Sequence, residues 1–198
     1  MREAALRKIL ISGFEPTSSI SPKRAKEMTR KGYELWTFND DLERIPYASR
    51  HFEMHELEVY GGGAVDDAHP APDYIEALHT GLGIPVYHLR ADETIPGSVA
   101  YPLNEMTAKF GSYWTNSFSY MLALAIHEKA DEIHLYGVDM SRDHEHAWER
   151  PSIEYFLGWA RGAGIRTVIP ETSDLLKCIG VYGYGNANPY EMQAMARD

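Results

Sequence analysis

The sequence predicts an α/β fold, a mostly parallel sheet with helices on both faces. Short apolar, β-branched runs alternate with segments of helical periodicity, the pattern of βαβ units. The 198 residues are 44% hydrophobic and 12% aromatic, enough to bury a large core without disulfides or a structural metal. No repeat, low-complexity tract or linker divides the chain, so one Rossmann-like domain over residues 1–198 is expected.

Each element has its own signal. Lys8 to Ser12 (KILIS) is the first strand. Ser21 and Pro22 open a helix, the serine as cap and the proline in the first turn, and Gly32 stops it. Tyr33 to Phe38 (YELWTF) is the second strand and Arg50 to His55 the third. The Gly/Pro-rich segment from Gly61 to Pro72 is a loop, and a helix over Asp73 to Leu82 leads into a strand at Ile84 to Leu89. Phe118, Met121, Leu122, Ala125 and Ile126 recur at helical spacing, which buries one face of a helix over Ser117 to Lys129. Ile133 to Tyr136 is a short strand ending at Gly137-Val138-Asp139. The next helix carries Ile153, Phe156, Leu157 and Ala160 on one face, and Gly162 to Gly164 ends it. Ile165 to Ile169 is the last strand.

Composition narrows the function. A formal charge of −10 argues against an extended nucleic-acid surface, which needs clustered Lys and Arg. The densest basic stretch, Lys23 to Lys31, has helical spacing and suits a solvated helix face. Cys178 is the only cysteine, which excludes an internal disulfide and the zinc ribbons and fingers. With no charged-then-apolar leader and no apolar run near the roughly 18 residues of a membrane span, a reducing cytoplasm and no membrane partner are expected. Gly-x-Gly-x-x-Gly, the Walker lysine motif and the Gly-x-Ser-x-Gly elbow are all missing from the sequence, which disfavours conventional dinucleotide oxidoreductases, P-loop enzymes and α/β-hydrolases.

Ligands of such sheets bind beyond the carboxyl ends of the strands, and four polar segments are expected there. Gly13 to Ser19, with Thr17 and Ser18, is either a capped turn or a cradle for a phosphate or carboxylate. Asn39 either hydrogen-bonds a ribose or base or closes an Asx turn. Asn116 and Ser117 start the central helix as caps or ligand contacts. Asp139, at a strand end, either braces neighbouring loops or meets the ligand. The stretch Ser141 to Arg150 is either a hydrated surface loop or the most reactive of the four: His144 and His146 can exchange protons near neutral pH, and Arg142 and Arg150 can hold a phosphate.

The runs Asn116 to Ile126 (NSFSYMLALAI) and Glu132 to Asp139 (EIHLYGVD) resemble the SG-x-x-M-x-x-A-x-A…I-x-L-x-G-x-D stretch of bacterial sialyltransferases that decorate lipooligosaccharide from a CMP-sugar, a pattern shared by DUF115-like motility accessory proteins. Gly13 to Ser18, Trp36 to Asn39 and Pro170 to Leu175 resemble further stretches of that family, and the whole chain is similar to small Rossmann-like bacteriophage proteins. The resemblance implies a protein that binds a nucleotide or nucleotide sugar with Gly13, Ser18, Asn39 and Ser117 facing it, and the loop reading adds Thr17, Asn116 and Asp139 to the expected binding residues. The resemblance further implies metal-independent glycosyl transfer or hydrolysis, without a cofactor. His146, just before a helix, would be the base, and Arg142 or Arg150 would steady the departing phosphate. Two alternatives stand beside it: a non-catalytic protein that sequesters a nucleotide, and a metal-dependent phosphoesterase on Asp139, Asp143, His144 and His146. The sequence leaves the oligomeric state open, a homodimer included.

Overall fold

The computed structural model describes residues 6–56, 72–140, 144–178 and 184, without the side chains of residues 72 and 144–146. Among these residues seven strands form one parallel sheet: β1 (Lys8–Ser12), β2 (Tyr33–Phe38), β3 (Arg50–Glu53), β4 (Val86–His88), β5 (Ser98–Ala100), β6 (Glu132–Tyr136) and β7 (Arg166–Val168). Five α-helices accompany them: α1 (Pro22–Arg30), α2 (Pro72–Thr80), α3 (Leu103–Phe110), α4 (Ser117–His127) and α5 (His144–Gly162). The strand order is β5-β4-β3-β2-β1-β6-β7. The chain steps outward from β1 to β5, then returns to lay β6 on the far side of β1. Strand order therefore reverses between β1 and β6, where loops diverge and a crevice opens beyond the strand ends.

Helices on both faces explain why the central strand β1 is apolar on both of its faces. Ile9, Leu10 and Ile11 are all fully buried. Ile9, Ile11, Trp36 and Phe52 pack with Met106 of α3, Met121 of α4 and Phe156 of α5. On the opposite face Leu10 and Leu35 meet Ala25 and Met28 of α1, and Val86 meets Tyr74 and Leu78 of α2. The predicted cap of α1 is in place, Ser21 accepting from the Arg24 N–H at 3.3 Å. At the amino ends of the strands, Arg7 bonds Glu34 at 2.8 Å and Glu128 at 2.6 Å, and Arg50 bonds Glu128 at 2.8 Å. That cluster fastens the end of α4 to the first three strands.

Three expectations need correction, and the predicted loop at Gly61 to Pro72 lies almost wholly outside the described residues. β5 and α3 are absent from the sequence reading. β5 has only three residues at the sheet edge, two of them exposed, so no apolar run announces it. The third strand ends at Glu53, and Met54 and His55 leave it for the crevice. α5 begins at His144, with Pro151 inside it, rather than after a loop that runs to Arg150. A proline lacks the N–H that the carbonyl four residues back would receive, so within a sequence it reads as a helix start.

Candidate functional site

The crevice at the β1/β6 reversal encloses a cavity of about 760 Å³, walled by the segments that follow β1, β2, β3 and β6 and by the start of α4. Its floor is a backbone contact. A Cβ on Gly13 would stand 2.2 Å from the Gly137 carbonyl oxygen, and one on Gly137 would stand 2.3 Å from that of Gly13. Only glycine permits this approach, and Gly137 also holds φ +69°. The Gly13 N–H donates to the Tyr136 carbonyl at 2.7 Å, Glu15 N–H to Gly137 at 2.9 Å, and Gly137 N–H to Ser18 at 2.8 Å.

The side chains at this seam face one another. Asp139, 4% exposed, accepts from the Thr17 hydroxyl on one oxygen and the Ser18 hydroxyl on the other. Thr17 and Ser18 thus brace the loops, while Phe14, Glu15 and Pro16 line the cavity. Asp139 reaches the wall too, with both oxygens already engaged.

After β2, Asn39 adopts φ +50° and gives its N–H to the Phe52 carbonyl at 3.1 Å. Its side chain lines the cavity, and its Oδ1 is buried with no partner among the described residues. Asp41 instead accepts from Arg44 at 2.8 Å, and Arg44 is further held by the Ile20 carbonyl. Burial raises the Asp41 carboxyl above its ordinary value against the pull of Arg44. Phe14, Phe38 and Phe118 form a ladder of rings with centroids 5.0 and 4.6 Å apart, beside Asn39 on the same wall.

Opposite them, Asn116 caps α4 by accepting from the Ser119 N–H at 3.0 Å and donates to the Glu149 carbonyl of α5 at 3.0 Å. Ser117, next along, is buried on the wall. Trp114 lies between Tyr120 and Phe156, its ring stacked on both at 5.1 and 5.0 Å. Trp114 also lines the cavity, and its Nε1 is buried without a partner among the described residues.

Sequence reasoning missed the polar chain behind β3. Glu53, 1% exposed, accepts from His55 Nδ1 at 2.7 Å and from the His55 N–H at 3.0 Å. Its other oxygen accepts from the Tyr74 hydroxyl at 2.8 Å. Tyr74 lies 2.8 Å from Nε2 of the fully buried His51, whose Nδ1 is 3.0 Å from the Thr37 hydroxyl. One arrangement satisfies all of them: Thr37 donates to His51, His51 to Tyr74, and Tyr74 to the carboxylate. Burial pushes the Glu53 carboxyl up, but the His55 and Tyr74 hydrogen bonds outweigh it and leave it below the ordinary value. Burial pushes the His51 imidazole down to about 4 against the attraction of Glu53. His55, 44% exposed, closes the chain on the cavity wall. A signal was present in the sequence: His51, Glu53 and His55 alternate, so the predicted strand over Arg50 to His55 would set three titratable groups on one face, beside the sheet centre.

The remaining candidates fall elsewhere. Arg150 donates to Glu154 at 2.9 Å and to the Asp174 carbonyl, and it is not among the described wall residues. Arg142 and Asp143 lie outside the described residues, as do the side chains of His144 and His146. His146 stands in the first turn of α5, one turn before Glu149, which reaches the wall. The described wall carries the acids Glu15, Asp139 and Glu149 and no lysine or arginine. Among the described residues, no three metal-binding side chains converge.

No protein-family model and no curated protein sequence matches the chain. Among solved structures, it is similar to the sialyltransferase CstII from Campylobacter jejuni in complex with the substrate analogue CMP-3FNeuAc, at 11% identity over 98% of this chain and 100% of that one, with a TM-score of 0.48. It is also similar to the same enzyme's complex with a trisaccharide acceptor and CMP, at 12% identity over 96% and 99% of the two chains, with a TM-score of 0.48. At these identities the likeness concerns the fold alone.

Proposed function

We propose that the cavity binds a nucleotide or nucleotide sugar and that the protein transfers or hydrolyses the glycosyl group without a metal. The observation that carries this reading is Asn39, whose Oδ1 is buried without a described partner beside the Phe14–Phe38–Phe118 ladder, at the point where strand order reverses. A buried carbonyl oxygen without a donor costs free energy that a base or ribose donor would recover, and a ring edge or face beside it suits a planar base. Ser117 offers a hydroxyl across the cavity. On this reading Arg142 meets the departing phosphate, and an imidazole takes the proton of the attacking hydroxyl. His146 is the imidazole that the sequence nominates.

Native mass spectrometry and calorimetry against CMP, UMP, AMP, GMP and their sugar conjugates test the binding. Asn39→Ala should weaken the ligand found by roughly 1–3 kcal/mol, the cost of an unsatisfied buried partner. No binding by any member of the panel, or equal affinity in the variant, overturns the assignment of Asn39. The acid-bearing described wall, without lysine or arginine, favours a second reading, a binder that holds an intact nucleotide without turning it over.

A further inference from the structure

We propose that the outer face of α5 seats a second copy of this chain, in an antiparallel contact centred on Tyr155. The proposal is independent of what the cavity binds. Trp148, Pro151, Tyr155, Gly158, Trp159 and Gly162 recur at helical spacing and form one stripe along α5. All six are exposed, Trp148 to 80%. Tyr113 adjoins the stripe, its ring centroid 5.8 Å from that of Tyr155. None of the six carries a charge, in a chain of formal charge −10. Net charge of that size holds copies apart, and an uncharged face is where a second copy can approach.

The glycines of the stripe have no explanation within one copy. Gly158 and Gly162 hold no positive φ, and a Cβ at either would meet nothing within 4 Å. Glycine in a helix is less stable than alanine, so α5 carries a cost that its own packing does not require. What the missing side chains leave is a groove of about 480 Å³, lined by Tyr155, Gly158, Trp159, Gly162 and Ala163. Its aromatic walls are held in place. The Tyr155 hydroxyl donates to the Phe110 carbonyl at 3.0 Å, and Trp159 meets the Phe110 ring edge to face at 5.4 Å. A groove with fixed walls loses little conformational freedom when it is filled.

The spacing along the helix selects a second copy as the occupant. A two-fold contact needs one patch that carries both a projecting group and the notch to receive it, equally far from the axis. Trp148 and Gly162 each stand seven residues from Tyr155, about 10.5 Å along the helix in opposite directions. With two helices laid antiparallel across Tyr155, Trp148 of each copy falls on the groove at Gly162 of the other. Pro151 falls opposite Gly158 and Trp159. Tyr113, Trp148, Tyr155 and Trp159 together leave uncovered the equivalent of about two aromatic side chains, about 400 Å². A standard interface takes roughly 800 Å² from each partner, so this contact belongs to the small, transient class. Association in the range of roughly ten micromolar follows, with monomer prevailing below about one micromolar.

Sedimentation of the full chain from about 0.1 to about 200 µM should carry the mass from 22.4 kDa toward twice that value. Quenching of tryptophan by acrylamide should weaken over the same range, as Trp148 becomes covered. Trp148→Ala and Gly162→Leu, both at exposed positions, should each weaken association on the order of tenfold or more. Gly158→Ala separates the two roles of the glycine. In dilute protein it should raise the Tm, because alanine favours the helix, while at high concentration it weakens association, because its methyl group enters the groove. Circular dichroism confirms folding for every variant. A chain that stays monomeric across the whole range overturns the proposal. So does a dimer that forms equally well in all three variants, which would lie on another face. A mass that grows past the dimer overturns it too, since a two-fold contact closes on itself.

Discussion

Lowering the pH from 7 should remove stability held by the burial of neutral His51. In the folded protein its imidazole titrates near 4, against 6.5 in the unfolded chain. Between those values the unfolded chain binds a proton that the folded protein refuses, so acid draws the equilibrium toward unfolding. The contribution is fully present above about pH 6.5, falls as pH drops through that value, and is exhausted once the folded imidazole also protonates. Integrating between the two titrations gives a loss of about 2 kcal/mol by pH 5 and about 3 kcal/mol by pH 4. Glu53, held below its ordinary value, adds a loss of the same sign at lower pH. Urea unfolding of wild type and His51→Gln at pH 7 and pH 5 isolates the histidine, because glutamine can still donate to Tyr74 and accept from Thr37 without titrating. The variant should be the less stable at pH 7, and the gap should narrow by about 2 kcal/mol at pH 5. Parallel pH dependences in the two proteins would refute the reasoning.

Other perturbations follow from the site. Gly13→Ala drives a Cβ to 2.2 Å from the Gly137 carbonyl oxygen, backbone against side chain with nowhere to yield. It should cost roughly 3 kcal/mol in chemical denaturation, and a loss below about half a kcal/mol would mean that the seam is loose. Ser18→Ala removes one of the two hydroxyls on buried Asp139 and should cost roughly 1–3 kcal/mol, read as a lower Tm; an unchanged Tm would contradict the brace. Leu10→Ala, in the fully buried centre of β1, should cost roughly 2–5 kcal/mol by urea titration, and a smaller loss would mean that α1 closes onto the gap.

Much of the fold was legible because its central strands are dense in apolar and aromatic residues. β1, β2 and β6 are short, rich in apolar and aromatic residues and bounded by turn residues, and α4 shows its buried face at helical spacing, so local pattern and tertiary role agree. β5 and the first two turns of α5 were hidden for opposite reasons, one too short and exposed to leave a pattern, the other masked by Pro151. The cavity wall was legible where a loop follows a central strand, as at Asn39 and Asp139, and at the start of α4, as at Ser117. Which way a hydroxyl points was not: Thr17 and Ser18 stand in the predicted loop but turn to Asp139. The Glu53–His55 pair was hidden within the predicted third strand, because its meaning depends on Tyr74, a residue brought in from a helix 21 positions from Glu53. Contacts at that separation leave no local trace.

The placement of Trp114 has an optical consequence. The chain has four tryptophans. Trp36 is fully buried under the Arg50 guanidinium, while Trp148 and Trp159 are 80% and 41% exposed on α5. Among the described residues Trp114 is the one indole on the cavity wall. A ligand entering the cavity therefore changes the surroundings of that indole, while an aqueous quencher reaches Trp148 first. With acrylamide present to suppress the exposed emission, the remaining fluorescence reports on the interior, and occupancy can be titrated in the native chain without a label.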